Sequence, residues 1–371
     1  MRFPFVIVAI VLLTACSLDR SASARGPFVT TEIASFNQPW ALSFLPDGRL
    51  LVTEKKGSLY IVNQDGAKSK PLPGVPDVEY GGQGGFGDVV LHPDFVSNGL
   101  IYISYVEAGE GSVRGAAVAR GKLNLNNDGG ASLENVDIVW RQVPKVSGSG
   151  HYGHRIVFSA DGYLFISSGE RQKFDPAQDM TQNLGKIVRL HHDGSVPADN
   201  PFYDQGGVTA QIWSLGHRNP LGIAFDEQGR LWNVEMGPRG GDELNLVMRG
   251  ANYGYPIVSN GDHYNGKEIP DHQTRPEFEE PKVWWSPVIS PGDLMFYSGD
   301  MFPAWKGNAF IAGLSAGALL RIIFDGESAA EAERFDMNER IRAVKQGPNG
   351  AIWLLEDGVG GRLLKLTPDH S

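Results

Sequence analysis

The stretch SGSGHYGHRIVFSADGYLFISSGE, residues 147–170, contains the pattern that decides the fold. Two apolar runs flank the pair Asp161-Gly162, and a glycine in that place tolerates the positive φ of a hairpin turn. Polar side chains, His151 among them, precede the first run, and Glu170 follows the second. The stretch therefore predicts two antiparallel strands with a group of polar side chains at one end. A solvated loop before an ordinary hairpin is the alternative interpretation.

The same unit of strand, tight turn and strand recurs along the chain. Six copies cover residues 41–54, 89–105, 155–170, 222–237, 306–322 and 343–357. Five copies carry a turn pair that ends in glycine, and the copy at 306–322 is the least regular. This spacing predicts an all-β fold, a six-bladed β-propeller of four-stranded antiparallel sheets. A β-sandwich is the alternative, but its strands recur at shorter intervals of about 8 to 12 residues.

Composition agrees with a large β domain. The chain has 371 residues, of which 47 are Gly and 23 are Pro, and its formal net charge is −10. Gly and Pro break helices and supply turns, so these counts favour many short strands. Length alone permits one large domain or two medium ones. The acidic balance argues against a nucleic-acid partner, because phosphate contacts need a basic face.

The beginning of the chain predicts export. After Arg2 comes an apolar run that is too short to span a bilayer and has the form of an export signal. The run ends in Leu-Thr-Ala-Cys, which resembles a bacterial lipobox and implies cleavage before Cys16 and a lipid on that residue. A plain signal peptide with an incidental Cys is the alternative. Cys16 is also the single Cys, so no intramolecular disulfide forms.

These features predict three segments. They are a lipoprotein signal peptide at 1–15, a polar tether at 16–28 and one propeller domain at 29–371. The protein is then expected in the bacterial cell envelope on the periplasmic side, in contact with a membrane only through its lipid. The residue after Cys16 is Ser17 and not Asp. In a Gram-negative host this resembles a sorting signal for the outer membrane, which is therefore the candidate membrane.

Polar clusters just before the repeated strands are expected to meet in space, because the loops of a propeller converge at one end of its channel. Gln83 lies between paired glycines that permit close approach to a flat ligand. His151 can act as a base near neutral pH, with Glu170 fixing its tautomer. His154 is expected to be a bystander. Taken alone, each of these residues is also compatible with an ordinary polar loop.

Two further clusters suit an anion, and a third suits a metal. Arg218 and Asn219 offer a guanidinium fork beside an amide. Arg340 and Arg342 alternate with apolar residues, so both heads point to the same side of a strand. The segment 235–256, with Asp242 and Glu243, supplies oxygen ligands of the kind that Ca²⁺ prefers. Loop-capping arginines and a solvated acidic loop are the alternatives.

Several common enzyme motifs are missing from the sequence. It contains no HExxH or CxxC zinc spacing, no Walker loop and no GxGxxG after a strand. It also has no GxSxG elbow between a strand and a helix, since GLSAG at 313–317 lies inside one of the repeated strand units. These absences weigh against the common hydrolases and against nicotinamide enzymes.

Taken together and in this order, the clusters resemble one family, the soluble pyrroloquinoline quinone (PQQ) dependent sugar dehydrogenases, and within it the bacterial aldose sugar dehydrogenases. The resemblance runs from about Thr31 to Leu366. It is carried by the motifs PWALSFLPDGRLLVTE, GQGG followed by GDVVLHPDF, GHRNPLG, MGPRGGDE, NYGYP and RIRAV.

The resemblance implies a six-bladed propeller that binds PQQ and Ca²⁺ at one end and oxidises an aldose at C1 to its lactone. His151 resembles the general base, and Glu170 the carboxylate that supports it. Cofactor contact is implied for Gln83, Arg218, Asn219, Tyr264, Arg340 and Arg342, with Ser315 at a further cofactor position. Gly237 and Pro238 resemble carbonyl ligands of the calcium that touches PQQ. Glu243 and Tyr253 resemble ligands of a second, structural calcium.

The sequence departs from the family pattern at three places. Ser315 stands where relatives have a Lys that contacts PQQ, His154 where a Gly is common, and Met236 where others have a polar side chain. These departures predict a weaker or differently arranged grip on the cofactor.

The expected partners are an aldose and an artificial or respiratory electron acceptor. The sequence does not indicate an oligomeric state. A lactonase-type propeller hydrolase is one alternative; it would hold a divalent metal with carboxylates and use no quinone. A non-catalytic binding propeller is the other. The paired arginines Arg340 and Arg342 favour the quinone over the first, and the presence of both His151 and Glu170 speaks against the second.

Overall fold

The computed structural model describes residues 26–125 and 130–369, and it is nearly all β. The strands in chain order are β1 (Phe28–Asn37), β2 (Pro39–Phe44), β3 (Leu50–Glu54), β4 (Ser58–Val62), β5 (Phe86–Leu91), β6 (Leu100–Ala108), β7 (Arg114–Leu125), β8 (Ala131–Arg141), β9 (Gly153–Phe158), β10 (Leu164–Ser168), β11 (Lys186–Leu190), β12 (Ile212–Leu215), β13 (Pro220–Phe225), β14 (Leu231–Glu235), β15 (Arg239–Gly240), β16 (Asp242–Leu246), β17 (Gly261–Asp262), β18 (Val283–Trp285), β19 (Pro291–Phe296), β20 (Ala309–Gly313), β21 (Ala318–Asp325), β22 (Ser328–Asp336), β23 (Ile341–Gln346), β24 (Ile352–Glu356) and β25 (Val359–Pro368).

Helices are few and short in the described residues. The one α-helix is α1 (Phe95–Asn98), and the 3₁₀ turns are Asp175–Ala177, Tyr203–Gln205, Thr209–Gln211, His272–Thr274 and Pro303–Trp305. None of these helices is long and apolar enough to cross a membrane. The predicted signal peptide and Cys16 lie outside the described residues.

The strands form six antiparallel blades. Blades 1 to 3 are β2–β4, β5–β8 and β9–β12; blade 4 is β13, β14, β16 and β18; blade 5 is β19–β22; and blade 6 is β23–β25 with β1 at its outer edge. The first strands of successive blades contact one another around a closed ring, from β2 through β5, β9, β13, β19 and β23 back to β2. The prediction of a six-bladed propeller is therefore confirmed.

The pairing of β1 with β25 closes the ring. Phe28 of β1 stands opposite Pro368, and Asn37 opposite Val359, so the two ends of the described chain are joined in one sheet. In blade 1, the outer edge is an extended segment after β4. There Ser69 N donates to Ile61 O (2.9 Å) and Leu72 N to Leu59 O (2.8 Å). This segment takes the place of a fourth strand.

Apolar side chains fill each junction between neighbouring blades. Six buried clusters lie at the six junctions, one for each. Between blades 2 and 3, for example, Tyr102 and Trp140 pack against Ile156 and Ile166. Since a blade buries both faces in this way, its central strands are apolar without strict alternation.

The repeated units coincide with the first two strands of a blade in five cases. In each of these five the turn glycine has a positive φ, from 67° at Gly99 to 87° at Gly48. The unit at 306–322 is the exception, because it covers β20 and β21, the second and third strands of blade 5. The first strand, β19, is separated from β20 by a long connection with a 3₁₀ turn, so no tight turn marks that hairpin.

Arg155 lies in the channel, where it connects all six blades. It belongs to β9 in blade 3 and is buried. Its partners in the other blades are the ring of Trp40, centred 4.0 Å away, Asp88 Oδ1 (3.3 Å), and the carbonyls of Leu221 (2.7 Å), Gly292 (2.6 Å) and Arg342 (3.5 Å). Asp293 Oδ1 is a second carboxylate near its Nε, at 3.7 Å.

Replacing Arg155 with Met should destabilise the propeller strongly. The change leaves the buried carboxylate of Asp88 without its guanidinium partner, and breaking a buried pair in this way costs about 3–5 kcal/mol. The melting temperature measured by circular dichroism should therefore fall clearly. Arg49→Met is the control, because Arg49 pairs with Asp47 at the surface (2.7 Å), where a pair contributes about 1 kcal/mol or less. Equal melting temperatures for the two variants would contradict the central role of Arg155.

Candidate active site

Two cavities open at the end of the channel where the first strand of each blade begins. The first cavity, of about 220 Å³, is lined by Gln83, Asn219, Arg340 and Arg342 among others. The second cavity, of about 270 Å³, is lined by His151, Glu170, Arg218, Pro238 and Tyr264 among others. The structure thus brings together residues from 83 to 342 at one end of the propeller, as the loop geometry predicts.

The two cavities are neighbours, because residues that line one are bonded to residues that line the other. His151 N donates to Gln83 Oε1 (2.8 Å), which links blade 3 to the loop before blade 2. Asn219 Oδ1 accepts from Gly153 N (3.2 Å), which links blade 4 to blade 3. The polar residues therefore form a continuous surface across both cavities.

His151 and Glu170 form a buried hydrogen-bonded pair. The contact joins His151 Nδ1 to Glu170 Oε1, and both side chains are almost inaccessible to solvent. Burial lowers the pKa of His151 below its usual value, the bond to Glu170 raises it in part, and the charge of Arg218 lowers it further. The imidazole is therefore neutral at pH 7, with its proton on Nδ1 and a free lone pair on Nε2.

The carboxylate of Glu170 is held by the loop that follows it. It accepts backbone hydrogen bonds from Gln172 (2.9 Å), Lys173 (2.5 Å) and Phe174 (2.7 Å). Burial alone would raise the pKa of Glu170, but the bond from His151, the amide of Phe174 and the charge of Arg218 outweigh it and lower the pKa. Glu170 is thus an ionised acceptor in a fixed place.

The backbone around this pair is strained. His151 has φ 52°, Arg171 65°, Gln172 59° and Phe174 63°, all in the left-handed region that residues with a Cβ rarely adopt. A Cβ at Gly169 would overlap the carbonyl of His151, so only glycine permits this approach. Strain of this kind persists where the surroundings enforce it, and it is common at functional sites.

Arg171 enforces the conformation of the loop before His151. Its guanidinium donates to Gly150 O (2.9 Å), Gly148 O (2.6 Å) and Arg114 O (2.7 Å), and it stacks 3.7 Å from the ring centre of Tyr152. The Ser/Gly run of 147–150 is therefore fixed by a neighbour of Glu170.

Arg218 lies between the base and the predicted calcium ligands. It is buried, and its Nη1 donates to Met236 O (2.8 Å) and Gly237 O (2.5 Å). Tyr255 and Tyr264 stand with ring centres 5.8 and 5.9 Å from its guanidinium carbon. Tyr264 is 73% exposed, at the rim of the second cavity.

Arg340 and Arg342 point to the same side, as predicted, and they share one carboxylate. Asp357 accepts from Arg340 Nε (3.1 Å) and from Arg342 Nη2 (2.9 Å). Lys55 lies in the same cavity and donates to Gly82 O (2.9 Å). Three cations thus face one carboxylate, which gives the lining a net charge of +2. His154 also lines this cavity, and burial lowers its pKa to about 3, so it is neutral.

Two predicted positions are arranged differently from the rest. Ser315 is exposed and does not line either cavity; its Oγ donates to Val288 O (3.2 Å). The hydroxyl of Tyr253 is occupied, since it donates to Leu246 O and accepts from Met248 N (2.8 Å). The carbonyl oxygen is the group that Tyr253 can offer to a metal, and it lies 3.1 Å from His272 Nε2.

Glu243 belongs to a buried acidic pair. It stands opposite Glu235 in the register of β14 and β16, and both are buried. Burial raises the pKa of both carboxyl groups, and the charge of Glu235 raises that of Glu243 further. Asn245 Oδ1 is also buried without a hydrogen-bond partner, and His217 Nδ1 lies 3.4 Å from Glu235 Oε2. A cation would relieve the repulsion between the two carboxylates.

Comparison with known proteins agrees with this arrangement. Residues 36–365 match the family described as Glucose / Sorbosone dehydrogenase. The chain belongs to the glucose/sorbosone dehydrogenase family. It is 38% identical to the aldose sugar dehydrogenase YliI of Escherichia coli over 99% of each chain. It is thus an oxidoreductase of the sugar-dehydrogenase type.

Solved structures give the same result. The apo form of the soluble aldose sugar dehydrogenase from Escherichia coli has a TM-score of 0.86 and 39% identity, over 92% of this chain and all of that one. The PQQ-bound aldose sugar dehydrogenase from Streptomyces coelicolor has a TM-score of 0.75 and 28% identity, over 93% of this chain and 99% of that one.

Sequence reasoning missed three charged residues of this dehydrogenase. Lys55 and Asp357 follow the second strand of blades 1 and 6, as Glu170 follows the second strand of blade 3. Aligning the ends of the repeated units would have shown Lys55, Asp357 and Glu170 at the same end of the propeller. Glu235 gives no such signal, because its role depends on the register that sets it opposite Glu243.

Replacing Glu170 with Gln in this dehydrogenase should lower the pKa of His151 further. The carboxylate stabilises the protonated imidazole by its hydrogen bond and its charge, so its loss leaves burial and Arg218 to disfavour that form. Imidazole NMR during a pH titration should show a His151 pKa below 6.5 in the parent and a lower one in the variant. An unchanged or higher pKa in the variant would contradict the pairing.

Proposed function

We propose that this dehydrogenase oxidises aldoses at C1 to lactones, with PQQ and Ca²⁺ bound at the two cavities. The observation that carries the proposal is the neutral, buried His151, paired with Glu170, beside a cavity with a net charge of +2. Such a base next to a cationic cavity suits the removal of a proton from a sugar that lies against an anionic cofactor.

The residues present fit PQQ. The cofactor carries three carboxylates, and Arg340, Arg342, Lys55 and the nearby Arg218 are the cations of the two cavities. Gln83 and Asn219 add amide groups at the boundary between the cavities, and Tyr264 adds a ring at the rim. When bound, PQQ supplies a quinone that accepts a hydride, and calcium polarises that quinone.

The residues also fit calcium, through oxygen ligands. Among residues 26–125 and 130–369, no three His, Cys, Asp or Glu side chains converge as metal ligands, so backbone carbonyls have to contribute. Gly237 and Pro238 offer carbonyls beside the second cavity; that of Gly237 accepts from Arg218 and keeps a second lone pair. Glu243 and the Tyr253 carbonyl would hold a second ion, where the pair with Glu235 makes a cation favourable.

Each residue around the base has a separate role in the proposed proton removal. His151 Nε2 takes the proton of the anomeric hydroxyl. Glu170 keeps the other ring proton on Nδ1 and stabilises the imidazolium that forms. Arg171 and Gln83 fix the loop on which the imidazole stands. The electrons then leave to an artificial or respiratory acceptor.

Among the described residues, no three His, Cys, Asp or Glu side chains are grouped to hold a metal, which disfavours the lactonase alternative with its metal held by side-chain carboxylates. A non-catalytic propeller has no use for a base with this hydrogen-bond pattern.

Titration of the purified protein with PQQ and Ca²⁺ tests the proposal. The quinone absorbance of the complex should bleach on addition of an aldose, with the lactone as product. A lactone hydrolysed without PQQ would support the hydrolase, and no binding of PQQ would overturn the proposal.

His151→Gln is the critical variant in the same assay. It should still bind PQQ and Ca²⁺ but reduce sugar-dependent turnover by roughly 10²–10⁴-fold, the range for loss of a general base. His154 is a neutral histidine of the first cavity and has no carboxylate partner. His154→Gly should therefore change turnover far less. A larger loss for His154→Gly would show that the wrong histidine has been assigned.

We further propose that the protein is exported and anchored by a lipid on Cys16, on the periplasmic side of the cell envelope. The support is the Leu-Thr-Ala-Cys ending of the export signal and the absence of any other Cys. Cys16→Ala should abolish incorporation of radiolabelled palmitate and block cleavage of the signal peptide, so that the longer precursor accumulates. Unchanged labelling of the variant would contradict the anchor.

A further inference from the structure

Lys55 is placed as a ligand-binding residue rather than as a surface charge. It follows the last residue of β3 and lines the first cavity with Gln83, Asn219, Arg340 and Arg342. Its backbone is fixed on both sides, since Lys55 N donates to Gln38 O (3.0 Å) and Lys55 O accepts from Phe86 N (2.8 Å). The ammonium group therefore starts from a rigid position at the cavity wall.

The ammonium has unused bonding capacity. It donates one hydrogen bond, to Gly82 O (2.9 Å), and has three N–H groups to offer. Within the described ranges 26–125 and 130–369, no carboxylate lies within 4.0 Å of it. The ring centre of Tyr80 is 5.8 Å away, which is at the outer limit of a cation–π contact.

The cavity does not neutralise its own cations. Asp357 is the one carboxylate of its lining, and it is already shared by Arg340 and Arg342. Arg342 is close enough to Lys55 that, together with burial, its charge lowers the pKa of the ammonium. Three cations held together without enough negative charge are costly unless an anion joins them.

The contact with Gly82 O places the ammonium beside the loop that carries Gln83. The carbonyl that Lys55 contacts belongs to the residue before Gln83, whose own amide oxygen accepts from His151 N. A Cβ at Gly82 would overlap Ser149, so the glycine keeps the loop in this place. Lys55 and Gln83 therefore present a charged donor and an amide on the same wall.

We propose that Lys55 binds a carboxylate of the cofactor and is, with Arg340 and Arg342, a determinant of cofactor affinity. The inference rests on the proposed function, because PQQ is the tricarboxylate in question. It adds a cation from blade 1, whereas the exposed Ser315 on blade 5 provides no charge.

The chain provides a matched control at the next position. Lys56 has the same charge and the same 5.8 Å distance to the Tyr80 ring centre, but it is exposed and does not line the cavity. Lys55→Met thus removes an ammonium group that faces the cavity, and Lys56→Met removes one that faces solvent. Lys55→Arg keeps the charge and serves as a rescue.

Binding of PQQ to the purified, calcium-loaded protein is measured by quenching of tryptophan fluorescence, so no turnover is needed. Lys55→Met should weaken the Kd by roughly 10- to 100-fold, as expected for loss of a charged hydrogen bond. Lys56→Met should stay within about twofold of the parent, and Lys55→Arg should recover most of the loss. Melting temperatures of the variants exclude unfolding as the cause.

The trimethyl ester of PQQ identifies the group that Lys55 contacts. Because the ester carries no carboxylate, Lys55→Met and the parent should bind it equally. If Lys55→Met weakened binding of the ester as much as it weakens binding of PQQ, the inference would be overturned. Equal binding of PQQ by the parent and Lys55→Met would also overturn it. A parent that fails to bind PQQ at all would reject the proposed function itself, and with it this role of Lys55.

Discussion

The guanidinium of Arg155 is the contact on which the arrangement of the blades depends. A propeller has no central layer, so its first strands have to be connected by side chains that reach across the channel. Arg155 does this with one carboxylate, three carbonyls and the face of Trp40. Neighbouring blades add local connections, as when Asp293 accepts from Val344 N (3.2 Å) and Asp88 from Ile156 N (3.0 Å). The channel is thus filled by a polar network rather than by an apolar core.

The site is a direct consequence of this arrangement. His151 comes four positions before Arg155, and Arg342, whose carbonyl Arg155 contacts, carries its side chain into the first cavity. The residues that bind the blades together therefore also set the distances between the base and the cations. Strain in the loops at 151–154 and 171–174 is supported by this rigid base and by Arg171.

The sequence predicts most of the fold because the hairpins are marked locally. In five of the six units a turn pair ending in a glycine of positive φ marks the first two strands of a blade. The unit at 306–322 is also a hairpin, but it consists of the second and third strands of its blade. The predicted residues around His151, Glu170 and the arginines also come together, because the loops that carry them lie at the same end of the propeller. Ser315 is the exception, because it does not line either cavity. Lys55 and Asp357 were missed although the ends of the repeated units carry their signal, whereas Glu235 gains its role only from a partner on another strand. The place of Arg155 could not be predicted, since its partners lie in five separate segments of the chain.

A coupling between two positions follows from the packing of His154. Its imidazole contacts Ser104 Oγ through Nδ1 (2.9 Å), lies against Trp40, and occupies the space that a Cβ at Gly87 would need. A side chain at position 87 and a ring at position 154 therefore exclude each other. Mutational paths through this site have an order: the ring has to be lost, and Ser104 Oγ, 2.7 Å from where the methyl carbon would lie, has to move, before position 87 can accept even a methyl group.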